Sequence, residues 1–127
     1  MPIGISATTA NGWLNALGRN TSYVVTAAYI KLHTGDPGAN GTANAATETT
    51  RKQVSFAAAS GGSMASSADV TWTNISGSQT ATHFTAWDSA TTGNFLFSGT
   101  ITANPYTAGD TFTISSGSLT VSLTLAS

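Results

Sequence analysis

The sequence predicts a mainly β protein: an antiparallel β-sandwich, jelly-roll- or immunoglobulin-like, of about seven or eight strands with one short N-terminal helix. Three observations carry this. Short apolar runs, alternating with Thr and Ser, recur at a spacing of roughly 8–14 residues. Clusters of Gly, Pro, Asn and Asp separate them. Helical periodicity occurs once, near the N-terminus, so no β-α-β alternation exists to build a parallel sheet.

The helix comes first. Thr8 or Thr9 is expected to cap it, Trp13, Leu14 and Leu17 share one face, and Gly18 closes it. Gly12 weakens it by about 1 kcal/mol relative to Ala. A helix this short persists only by docking its apolar face. Residues 23–26 and 28–33 then read as one strand or two short ones.

The strand ending at His33 runs into Thr34-Gly35-Asp36-Pro37-Gly38, a hard stop. Pro37 fixes φ and has no N–H, the glycines permit angles closed to other residues, and Asp36 suits a side chain that bonds its own backbone two positions on. Residues 35–50 form a long loop of Gly, Ala, Asn and Thr, a length that is uncommon without a role. It is expected to order only against a neighbouring subunit. Residues 51–58 form a strand with Val54 and Phe56 on one face, closed by Gly61-Gly62.

Val70 and Trp72 alternate with Thr71 and Thr73 in residues 68–75. In residues 80–87, His83, Thr85 and Trp87 face one side and Phe84 and Ala86 the other. Residues 88–93 turn the chain into a strand over 95–102 that holds Phe95, Phe97 and Ile101. Asn104-Pro105 and Gly109-Asp110 bracket a loop before a short strand over 111–114. Last, Leu119, Val121, Leu123 and Leu125 alternate with Thr120, Ser122 and Thr124. That is the pattern of a strand buried on one side, and four such side chains would contribute about 1.5–3 kcal/mol each. The chain divides into a helical segment, residues 1–22, and a β-sandwich domain, residues 23–127.

A chain of 127 residues can bury a core without staples, and this one has no cysteine for a disulfide or a thiolate metal site. Charged residues are only 7% and the net charge is −1. Roughly a third of the chain is Ser or Thr, well above ordinary usage. Such a surface is polar without being ionic, so it neither steers nor repels partners strongly. It suits a subunit packed among copies of itself. Four basic residues cannot supply a nucleic-acid footprint. No stretch reaches the roughly 18 apolar residues that span a bilayer, and residues 1–10 lack the pattern of a secretory signal. Neither nucleic acid nor membrane insertion is therefore expected.

No constellation announces catalysis. His33 with Asp36, and His83 with Asp88, lack a nucleophile elbow or a helical metal motif around them. Neither catalytic residues, a metal site nor a cofactor is assigned. His83 is expected beside Trp72 or Trp87 with a satisfied ring nitrogen. Arg51 and Lys52, the adjacent cations, are expected in an ion pair with Glu48 or Asp69, or at a protomer contact. Trp72 and Trp87 could line a sugar platform, although strand aromatics that face inward are ordinarily core. The candidate interface set is Trp13, Leu17, His33, Asp36, Arg51 and Lys52.

Leu32-His33-Thr34-Gly35-Asp36-Pro37-Gly38 also carries a resemblance. With it go residues 51–62 (RKQVSFAAASGG), Thr82-His83-Phe84-Thr85-Ala86-Trp87-Asp88, residues 93–99 (GNFLFSG) and Gly109-Asp110-Thr111-Phe112. Together these resemble a family of small virion proteins of tailed bacteriophages, described as minor tail, tail-fibre or head-decoration proteins. The resemblance implies a non-enzymatic structural subunit, exterior on the virion and assembled in the host cytoplasm. Its partners would be copies of itself and major capsid or tail proteins, with a host-surface glycan as a further candidate. With no coiled coil or collagen-like tract to build a shaft, the leading expectation is a capsid decoration protein, residues 1–22 serving as its anchor. The alternatives are a minor tail, tail-tip or fibre protein contacting the host, and a carbohydrate-binding module.

Overall fold

The computed structural model describes residues 4–126. Residues 1–3 and 127, at the ends of the two expected segments, lie outside that range. A single helix, α1 (Ala7–Gly18), precedes eight strands. β1 (Ala28–His33), β2 (Lys52–Val54), β5 (Gln79–Trp87) and β6 (Phe95–Tyr106) form a four-stranded sheet in the order β2-β1-β5-β6. Two ribbons accompany it: β3 (Ser63–Ala65) with β8 (Thr120–Ser122), and β4 (Val70–Trp72) with β7 (Phe112–Ile114). Every pairing is antiparallel.

The expectation of one sandwich therefore needs correction: the chain makes three open sheets. β3, β4, β7 and β8 are three residues each, too short to extend a common sheet. Glycines at positive φ, such as Gly61, Gly62 and Gly117, turn the chain between them.

The three sheets still share one core. Ile30, Leu32, Phe84 and Trp72 are fully buried, each contributing about 1.5–3 kcal/mol. Phe84 meets Phe97 edge-to-face at 5.9 Å, and Phe112 joins Trp72 to Tyr106 at 6.0 and 5.3 Å. In the main sheet, cross-strand partners share a face. Ile30 with Ala86 and Leu32 with Phe84 line the inner face; Tyr29 with Trp87, Lys31 with Thr85 and His33 with His83 line the outer one.

Several elements differ from expectation. Ser6 caps α1, not Thr8 or Thr9; its Oγ accepts the Thr9 N–H at 3.1 Å and donates to Thr9 Oγ1 at 3.0 Å. Gly12, counted as a weakness, lets the Tyr23 ring lie against the helix, where any Cβ would overlap it. The helix docks through Thr9, Gly12 and Trp13, leaving Leu14 62% and Leu17 84% exposed. Residues 23–26 form no strand. Pro105 lies inside β6 because that strand is at the sheet edge, where a missing N–H is tolerated. In the last run Leu119 is fully buried, yet Leu123 and Leu125 are 53% and 57% exposed, since β8 ends at Ser122.

Candidate functional site

The outer face of the main sheet carries a polar cluster under the loop that follows β1. Asp36 Oδ1 accepts the Gly38 N–H at 2.9 Å, the turn expected of Asp before Pro. Pro37 is buried, and its carbonyl accepts the Ala43 N–H at 2.9 Å. The chain then returns along β1: Thr34 N–H donates to Asn44 O, Ala46 N–H to Leu32 O, and Ala45 bridges His33. Asn44 Nδ2 donates back to Asp36 O at 2.8 Å. Gly41, at φ +71°, lies on the Phe95 ring, and a Cβ there would meet Phe95 Cδ1 at 2.7 Å. The loop expected to wait for a neighbouring subunit is thus closed by its own chain, as a clasp over the sheet.

His33 locks the clasp. Its ring is 0% exposed, with Nδ1 2.8 Å from Ala43 O and Nε2 3.0 Å from Thr85 Oγ1. Trp87 Nε1–H donates to the same Thr85 oxygen at 2.8 Å. One assignment satisfies every group: neutral His33 donates from Nδ1 to Ala43 O, and Nε2 accepts the Thr85 hydroxyl proton. Burial accordingly pushes the His33 pKa below its ordinary value, assisted by the charge of Lys31.

Arg51 completes the outer face. Its guanidinium lies 4.2 Å over the Trp87 ring, and Nη1 donates to Ser89 O at 2.8 Å and Thr92 O at 2.7 Å. It ties down the turn between β5 and β6 instead of pairing with Glu48 or Asp69. Burial lowers its pKa, while the Asp88 charge opposes that shift. Asp69 accepts the Ser116 N–H. Glu48, also buried, accepts Ser76 N–H at 2.9 Å and Thr50 N–H at 3.1 Å. Burial disfavours its charge, but these bonds and nearby Lys52 outweigh it and hold the carboxyl below its ordinary pKa. Lys31 stands on the outer face, its pKa lowered by burial and by the Arg51 charge.

The six expected interface residues do not form one patch. His33, Asp36 and Arg51 belong to the clasp side, where His33 is buried and Asp36 half-buried. Lys52 pairs in register with Ile30 and so points to the opposite face. Trp13 lines an apolar cavity of about 390 Å³ with Tyr23, Val25, Val54, Phe56 and Phe97. Leu17 stands free beside it.

Trp72 is no sugar platform: it is buried, with Nε1 bonded to Thr50 O at 2.8 Å. His83 is half-buried and bonded through Nδ1 to Thr82 Oγ1 at 2.8 Å. Among the described residues, no group of three His, Asp or Glu side chains could hold a metal ion. Sequence reasoning missed Thr85, Asn44 and Glu48 as polar anchors. Only the outward alternation of Thr85 with His83 and Trp87 hinted at the first.

The chain matches the family model described as podophage GP4 fiber I protein gp80 over residues 4–122. It belongs to that family. The protein is therefore a structural protein of a phage particle, and the match spans the helix, the clasp and all eight strands. A comparison with curated proteins finds no match. The family description names a fibre, so it favours the tail and fibre alternative over the leading expectation of a capsid decoration protein. The polar groups of the clasp are spent on holding the loop.

Proposed function

We propose that the protein is a non-enzymatic fibre- or tail-associated subunit on the exterior of a tailed-phage virion. The observation that carries this reading is the family match across residues 4–122 to a fibre protein. Surface chemistry supports it. With a net charge of −1 and 7% charged residues, closely packed copies would repel one another little.

The proposed contacts with other copies or tail proteins lie on the helical side. Leu14, Leu17 and Val24 are 62%, 84% and 77% exposed, beside the cavity that Trp13 lines. The helical segment, expected as an anchor to a shell, becomes an attachment element within the tail. The clasp side, rigid and polar, would then face outward toward the host surface.

Mass spectrometry of purified virions, before and after separation of heads from tails, tests this. The protein should be recovered with the tail fraction. Recovery with heads, or absence from virions, would refute the reading.

A further inference from the structure

The outer face holds a second feature that the clasp does not explain. The register that pairs Ile30 with Lys52 brings Arg51 beside Lys31 across the β1–β2 edge. Both line a cleft of about 510 Å³ with Thr49, Thr50, Ala90 and Thr91. Only four cations exist in the whole chain, and two share this cleft. Burial, and after it the like charge of Arg51, lowers the Lys31 pKa.

The nearby carboxylates are held by other donors, although the Asp88 charge still acts on Arg51. Asp88 accepts from Asn94 N–H at 2.7 Å and from Asn94 Nδ2 at 3.1 Å. Glu48 is held by Ser76 and Thr50, with Lys52 near it. Among the described residues, Arg51 engages protein oxygens through Nη1 alone, leaving its other N–H groups available. The cleft is also preorganised. Trp87 and the two carbonyls fix the guanidinium, and Trp72 Nε1 fixes Thr50 O at 2.8 Å.

We infer that the Lys31–Arg51 cleft binds the carboxylate of an acidic sugar residue in a polysaccharide. The paired cations take the carboxylate, Arg51 through its free N–H edge and Lys31 as a point charge. Thr49, Thr50 and Thr91 line the same cleft, and threonine hydroxyls can both donate to and accept from a sugar's hydroxyls. The cleft lies on the face proposed to meet the host, so the inference rests on that reading.

The test is calorimetric titration of the full chain, at low salt, with polygalacturonate, dextran sulfate, inorganic phosphate and neutral dextran. Polygalacturonate should bind, weaken as salt rises, and outcompete the other three. Lys31→Glu should weaken it by at least about tenfold. Lys31→Gln, which keeps most of the stem, should weaken it less and melt like the parent. Arg19→Glu, which reverses the remote cation after α1, should leave binding unchanged. Any of three results would overturn the inference: no polygalacturonate binding, preference for sulfate, phosphate or neutral dextran, or equal losses in Lys31→Glu and Arg19→Glu. Failure here leaves a tail location standing, whereas recovery with heads refutes the location without altering the titrations.

Discussion

The clasp makes stability depend on the protonation of one buried ring. Burial holds the folded-state pKa of His33 below its ordinary value of 6.5. The unfolded chain therefore takes up this proton first as pH falls. Stability is complete above about pH 6.5 and declines toward the lower, folded-state pKa, at no more than about 1.4 kcal/mol per pH unit for one proton. Geometry gives the reason: a proton on Nε2 would face the Thr85 oxygen, which already accepts from Trp87 at 2.8 Å. The hydroxyl would then have to redirect its own proton away from the ring. Urea melts at pH 8, 7, 6 and 5 measure the decline. His33→Asn keeps a donor for Ala43 O but cannot titrate; it should be about 1–3 kcal/mol less stable at pH 8, from the lost Thr85 bond. Its pH profile should be flatter than the parent's over the same range. A parent profile flat from pH 8 to 5, or the same slope in His33→Asn, would refute the reasoning.

Other perturbations separate the remaining contributions. Gly41→Ala combines positive φ with a clash against Phe95 and should lower stability by about 2 kcal/mol or more, read from the urea midpoint. Ser6→Ala removes the cap of α1 and should cost about 1 kcal/mol, with a loss of helical signal by circular dichroism. Tyr106→Phe should be neutral within about 0.5 kcal/mol in the same urea melts, because the buried Tyr106 hydroxyl has no partner among the described residues. Glu48→Gln should reduce stability at pH 7. Because its folded pKa lies below the ordinary 4.5, the parent should lose that contribution as pH falls below about 4.5, while Glu48→Gln should not.

Much of the strand content was legible because alternation reports burial. Val70 and Trp72, Val54, and Phe84 with Ala86 are all buried as their spacing implies. Asp36 before Pro37 gave the turn outright, since its side chain acts locally. Alternation says less about where a sheet ends. Leu123 and Leu125 keep the period of Leu119, but the strand opposite them stops at Ser63. β3, a run of Ser, Met and Ala, carries no apolar period at all. Pro105 reads as a loop residue because a sequence does not show which strand lies at an edge. The clasp was the least legible part. Its bonds join His33 to Ala43 and to Thr85, 10 and 52 positions away, whereas the sequence sets His33 beside Asp36, to which the ring makes no bond. Charge alone matches Arg51 to carboxylates, whereas the fold gives it carbonyls and an aromatic face.

We propose this β-rich chain as a fibre- or tail-associated subunit of a phage particle. Electron microscopy of intact particles, labelled with gold-conjugated antibody against the purified protein, tests it most directly. Gold clustered at the tail or its fibres is the expected result. Gold distributed over the capsid, or particles that remain unlabelled, would contradict it.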